Sequence, residues 1–224
     1  MDLNFLEYLI KNNQLILRHL LQHLKIIGIA IPLAIAIAVP VGIYISHHKK
    51  IEAVVLYISS VLMTIPSLAL FGIMVVLLAP FNAGIGIVPA VVAVIVYSLL
   101  PMIRNTLVAI RTVSPAIIEA AKGMGMTSSQ ILFKIRLPLA LPIIMAGVRN
   151  AAVMGVGVTT VAYLIGAGGL GYFIFGGLSR SRLEMILLGA ILVAALGVGV
   201  NYGLLAIENA LTSEGLKIER KTNK

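Results

Sequence analysis

Several groups of residues in this chain have types and spacings that invite a chemical reading. Gly166, Gly168 and Gly171 form G-x-G-x-x-G, the string that cradles a pyrophosphate when it joins a strand to a helix. Here it follows an apolar run with no βαβ unit around it, so the reading is a tight turn and not a dinucleotide site. His19 and His23 stand at i,i+4, the spacing of a metal pair on one helix face, but no third ligand is in view. They are read as interface residues, with no metal site. Thr64, Ser67, Tyr97, Thr159, Thr160, Tyr163 and Asn201 place hydroxyls and an amide inside apolar runs, and Arg149-Asn150 interrupts another. These are candidate pathway-lining or intramembrane polar groups, because a polar side chain in such a run needs a partner or water. Catalysis finds no support. The carboxylates are few and lie in loops and tails, and no H-E-x-x-H or Ser/His/Asp cluster occurs. There is no G-x-x-x-x-G-K-[ST] loop for ATP either. The chain is expected to be no enzyme and to bind no cofactor.

The composition explains why these groups are so sparse. Of 224 residues, 60% are hydrophobic and 11% charged, and the mean hydropathy is +1.07. Soluble domains average about 25% charged residues. The chain is therefore read as a polytopic membrane protein embedded in a lipid bilayer. The absence of cysteine excludes disulfides and thiolate metal sites. The net charge of +9 fits Lys and Arg flanking membrane spans, not a nucleic-acid surface.

Five spans are predicted, at about 25–46, 53–79, 86–103, 143–165 and 184–207, since roughly 20 apolar residues cross a bilayer. Residues 1–24 read as an interfacial segment outside the first span, without the pattern of a secretory signal. Residues 206–224 read as a basic tail. Pro32 and Pro40 fall within the first span, and Thr64-Ile65-Pro66-Ser67 within the second, where a proline frees a carbonyl next to a cavity or a packing partner. In the fourth and fifth spans, Ala151 with Gly155, and Ala195, Gly199 and Gly203, form small-residue faces for close helix packing. No acidic residue lies mid-span, which disfavours an ion-coupled carrier. Arg149 is read either as buried or as snorkelling to the interface, with no partner nameable.

Orientation follows from the loop cations. Lys49, Lys50, Arg104, Arg111, Lys122, Lys134, Arg136, Lys217, Arg220, Lys221 and Lys224 fall on one side; Lys11, Arg18, Lys25, Arg180 and Arg182 fall on the other. The first side is cytoplasmic, which places the N-terminus outside and the C-terminus inside.

That puts residues 115–138 in the cytoplasm, and this interval is the most organised in the chain. Ser114-Pro115 starts a helix, with Ser as the cap and Pro at the first position. Glu119 and Lys122 pair at i,i+3. Gly123 and Gly125 end the helix. Thr127 opens a second helix with Gln130 at the capping-box position. Ile131, Leu132 and Ile135 share a face, and Pro138 discourages continuation. Two short helices joined by a glycine elbow are too short to span, and suit a grip for another protein.

Glu119-Ala120-Ala121, then Gly125, Ile135 and Leu137-Pro138, stand at the spacing of the EAA loop of ABC-importer permeases, and the chain resembles that family. Over residues 20–205 it resembles the type I ABC-importer transmembrane domain. The stretches 64–71, 97–101, 146–149 and 164–171 are most similar to those of osmoprotectant permeases, which import glycine betaine, choline, carnitine or related quaternary amines; methionine permeases are the nearest relatives to confuse with them.

The resemblance implies an all-α polytopic membrane protein of the cytoplasmic membrane, with a cytoplasmic two-helix coupling loop. It implies a second permease subunit, the same or a related chain, and a pair of ATPase subunits that carry ATP and Mg2+. In that picture Glu119, Ala120, Ala121, Gly125, Ile131, Ile135, Leu137 and Pro138 couple to the ATPase, with Ile131 and Ile135 as anchors. The chain ends soon after its last span, so the extracytoplasmic substrate-binding protein is expected to be a separate polypeptide. With no Trp and seven Tyr, the permease is expected to leave most of the specificity to that protein.

Overall fold

The structure, a computed structural model, describes residues 12–212, and within them the chain is all helix. Lys11 and the basic tail from Ser213 onward lie outside the described residues. The helices are α1 (Asn13–Ser46), α2 (Lys49–Thr64), α3 (Ser67–Leu78), α4 (Ile87–Thr112), α5 (Pro115–Gly123), α6 (Ser128–Ile131), α7 (Leu137–Thr159), α8 (Gly171–Ser179) and α9 (Leu183–Leu211). Four runs are long and apolar enough to cross a membrane: α1, α4, the continuous run Ser128–Ile165, and α9. The pair α2 and α3 brings the number to five when taken as one broken span.

The first helix begins earlier than the sequence predicts. It runs unbroken through residue 25 for 34 residues, about 51 Å against a bilayer core of about 30 Å. Pro32 and Pro40 are carried inside it. Its N-terminal turns read as a separate interfacial segment because Arg18, Gln22 and His23 dilute their hydropathy. Yet the histidines there face protein: His19 and His23 are buried and Gln22 half-buried, while Arg18, Leu17 and Leu21 are exposed.

The predicted second span is not one kinked helix. Ile65 and Pro66 are extended, and the helices on either side meet at 102°. A residue before proline is pushed out of the helical region, so α2 stops at Thr64. The corner is fastened by the Tyr97 hydroxyl of α4, which donates to the Ile65 carbonyl.

The core is the trio α1, α4 and α7. Ile27, Ile31, Ala34 and Ala38 meet Met102, Ile103 and Leu107, and Val148, Ala151, Ala152 and Val156. Close approach needs small residues: a Cβ on Gly147 would lie 2.5 Å from the Cβ of Asn105. The α9 helix lies against this trio through Val193, Leu196, Val200 and Leu204. It is the least embedded span, with 17% of its apolar window buried against 39–50% for the other three. Of the two predicted small-residue faces, Ala151 and Gly155 pack inside the subunit. Ala195 is exposed, and nothing approaches Gly199 or Gly203 within 4 Å; Gly189 and Gly197 make the contacts of α9 instead.

Candidate functional site

The interval between α4 and α7 is a self-contained elbow. The α5 helix ends in a full Schellman turn. Gly125 takes φ +79°, its N–H donates to the Lys122 carbonyl, and the Met126 N–H donates to Ala121. Gly123 is an ordinary helical residue. Next, Thr127 opens α6 with a capping box. The Gln130 N–H donates to Thr127 Oγ1 (3.3 Å), and the Thr127 N–H donates to Gln130 Oε1 (2.8 Å). Two expected features are absent: the Ser114 side chain makes no cap, and Glu119 and Lys122 stay exposed without pairing.

Ile118, Ala121 and Ile131 are buried together under Val113, Met126 and Ile135. Of the two residues assigned as anchors for a partner, Ile131 is buried and Ile135 half-buried. Both are used to hold the elbow shut. The apolar groups that do face outward are Ile117, Met124 and Phe133, at 44%, 74% and 66% exposure. Glu119 and Ala120 are exposed beside them.

Pro138 does not end a short helix, as the sequence suggests. It is the second residue of α7, and residues 132–136 form a π turn that joins α6 to α7 without a break. In that turn the Leu137 N–H reaches back five residues to Leu132. The wider turn absorbs the proline, which can neither donate to Lys134 nor tolerate its carbonyl at α-helical distance. Leu137 packs with Ala109, Ile110, Ala140 and Ile144. The elbow is therefore the end of a rod that continues into the membrane-spanning core.

Side chains tie the base of this rod to its neighbours. Arg111 forks onto Glu52 (2.9 and 2.6 Å) and also donates to the Ser46 carbonyl. Arg136 Nη1 lies 3.1 Å from His47 Nε2. The α1–α2 turn, the end of α4 and the elbow thus meet at one level.

A groove of about 840 Å3 opens between α7 and α9. Asn150, Asn201 and Tyr202 are its polar lining, among Val153, Met154 and Val198, and no charged side chain faces it. Asn150 and Asn201 were singled out in the sequence, and the fold brings them to one wall. Tyr202, 64% exposed, was not. The other candidates are dispersed. Thr64 and Ser67 flank the α2–α3 corner, Thr64 exposed and bonded to the Val61 carbonyl. Thr160 donates to Gly157, and Tyr163 stands edge-on to Tyr172. Tyr97 and Thr159 are buried in the core, the latter donating to the Gly155 carbonyl.

Arg149 has a partner that reading the last span to residue 207 concealed. It pairs with Glu208 at 3.0 Å, and that carboxylate is 1% exposed, one turn before the end of α9. Its place in the stripe of Val193, Leu196, Val200 and Leu204 was the signal available. The two histidines are used separately. His19 stacks on Tyr172. His23 Nε2 lies 3.1 Å from the Val156 carbonyl, which is spared from its helix because the Thr160 N–H turns to Gly157. His23 Nδ1 accepts from the Leu170 N–H at 3.2 Å, and neighbouring Gln22 accepts from Gly169. One donor and one acceptor define a neutral imidazole that locks the glycine turn onto α1.

Comparison with known proteins accounts for this arrangement. Residues 26–212 match the family model described as binding-protein-dependent transport system inner membrane component. The chain is 41% identical to the osmoprotectant import permease protein OsmW of Salmonella typhimurium, over 95% of this chain and 99% of that one. It is 42% identical to the carnitine transport permease protein OpuCB of Listeria monocytogenes, over 89% of each. It is 37% identical to the choline transport system permease protein OpuBB of Bacillus subtilis, over 96% of each. The fold is shared with a subunit of the MetNI methionine ABC transporter, with a TM-score of 0.81 at 22% identity over 91% of this chain and 99% of that one. From the match along nearly its whole membrane-spanning length, the chain belongs to the family of inner membrane components of binding-protein-dependent transport systems.

Proposed function

We propose that this chain is the permease subunit of an ATP-driven importer for small quaternary-amine osmoprotectants such as glycine betaine, choline or carnitine. The elbow carries the reading. It is a rigid, capped, partly apolar knob at one end of a rod that runs into the spanning core, the part an external motor needs to grip. The motor is a pair of ATPase subunits, which hold ATP and Mg2+; the permease itself binds no cofactor. Ile117, Met124 and Phe133 make the contact, while Gly125 sets its angle. A second permease, the same or a related chain, completes the pathway. A separate extracytoplasmic protein delivers the solute. The N-terminus is outside and the C-terminus in the cytoplasm.

The groove between α7 and α9 supplies one wall of that pathway. Its polar groups are two amides and a phenol, without a charged side chain. A permanently charged ammonium therefore meets neither a trap nor a repelling charge, and the Tyr202 ring offers a weak cation–π surface. Passage needs such weak sites, since a solute must leave as readily as it enters.

The test is uptake of labelled glycine betaine by cells lacking their own betaine importers. They express this chain with its ATPase, binding protein and any sister permease. Uptake that vanishes when the ATPase cannot hydrolyse ATP supports the proposal. ATPase-dependent uptake of methionine but not betaine keeps the importer and overturns the substrate. Uptake indifferent to the ATPase overturns the coupling role of the elbow.

A further inference from the structure

The Arg149–Glu208 pair stands where packing alone would place an apolar residue. Glu208 continues the stripe Val193, Leu196, Val200 and Leu204 by which α9 lies on the core, four residues beyond the last of them. Its carboxylate is nevertheless 1% exposed and meets Arg149 at 3.0 Å. The arginine side chain is 23% exposed, and such a largely buried ion pair is a poor way to gain stability, because well-packed apolar side chains of similar volume serve as well or better. What a charge pair adds is one geometry: only one register of α9 on α7 joins the two groups.

Three observations give that geometry a use. First, Arg149 is on the rod that starts at the elbow, twelve residues beyond Leu137 and so about 18 Å along it. Second, α9 is the least buried of the four long spans. Third, Arg149 adjoins Asn150, and Glu208 is two turns from Asn201 on the same face, and both amides line the groove. We propose that the Arg149–Glu208 ion pair makes α9 follow α7 when the elbow is moved, so that both sides of the groove travel as one wall. Without it α7 moves alone, the groove distorts, and ATP is spent without transport. The inference rests on the permease reading above and adds positioning residues to it.

The experiment uses the assembled importer in proteoliposomes and reads glycine betaine taken up per ATP hydrolysed. Glu208→Gln and Arg149→Met are expected to retain hydrolysis within about twofold of wild type and to lower uptake per ATP at least tenfold. The exchanged pair, Arg149→Glu with Glu208→Arg, is expected to recover most of it. A purely structural role would instead lower both activities together with the yield of assembled complex. A second readout needs no transported solute. The chain has no cysteine, so Met154→Cys and Val198→Cys on the two sides of the groove accept spin labels uniquely within it. Their separation should stay constant through the ATP cycle with the pair intact, and change on nucleotide binding in Glu208→Gln. Wild-type uptake per ATP in Glu208→Gln, or a label distance that ignores both nucleotide and the substitution, overturns the proposal. A wild-type complex that hydrolyses ATP and keeps its label distance but carries no betaine counts against the substrate reading alone.

Discussion

Two of the glycine turns among the described residues, between α5 and α6 and between α7 and α8, are held differently. At Gly125 every fastening is local. The Schellman bonds, the capping box and the small apolar knot all come from residues 113–135, and nothing lies within 4 Å of where a Cβ would project. At Gly166–Gly171 the same local bonds occur, from the Gly166 N–H to Tyr163 and the Ala167 N–H to Ala162, but further fastenings come from far away in sequence. Gln22 and His23 of α1 accept the Gly169 and Leu170 N–H groups, and a Cβ on Gly168 would run into Gln22. One turn is fastened within itself; the other is also tied into the body of the protein. The proposed role of the elbow as a lever would call for that difference.

Substitutions can break or sharpen the contrast. The largest effect is expected from Gly171→Ala, whose new Cβ would fall on the Thr160 carbonyl oxygen. Forcing that backbone apart costs about 1–3 kcal/mol or more, and the permease should be nearly lost from membranes by immunoblot. His23→Leu comes next. It leaves the Val156 carbonyl and Leu170 N–H without their partner, at about 1–3 kcal/mol each, and should lower the thermal midpoint in detergent by several degrees. Normal abundance and midpoint in both would mean that the Gly166–Gly171 turn is as self-reliant as the elbow.

Gly125→Val is expected to act differently, because strain there has no neighbours to spread to. A β-branched residue at φ +79° costs roughly 1–2 kcal/mol locally. The permease should still assemble and still support ATP hydrolysis, while uptake falls severalfold. Unchanged uptake at unchanged abundance would remove the elbow's angle from the mechanism. Replacing Met124 and Phe133 by Ser should leave stability within about 0.5 kcal/mol, as for exposed positions generally, and reduce co-purified ATPase. Smallest of all, Gly123→Ala sits on a helical, open position and should add about 0.5–1 kcal/mol with transport intact.

The same contrast decides what could be read from the chain alone. The elbow was legible down to its capping box, because Thr127, Gln130 and Gly125 act within a few residues of one another. Even there, the sequence did not reveal that Ile131 and Ile135 pack within the elbow. A shared helix face does not say whether the face is covered by the chain itself or by a partner. Pro138 misled for a related reason, since the π turn that accommodates it leaves no mark in the sequence. The spans were legible as apolar runs, but not where they ended. Hydropathy falls wherever polar residues begin, and at His23 and Glu208 the polar residues are inside the fold. Their partners lie 133 positions away in one case and on another span in the other.

The buried pair also has a consequence for how the chain is made. Glu208 is synthesised about 60 residues after Arg149. At about 5–20 residues per second that is a delay of about 3–12 s. Throughout it, α7 has entered the bilayer with a cation whose counter-charge does not yet exist. An unpaired arginine within a span is costly, so its pairing with Glu208 has to wait for α9. A polypeptide cut short before Glu208 would present an unmatched arginine to the membrane, a mark by which quality-control proteases can tell an unfinished permease from a finished one.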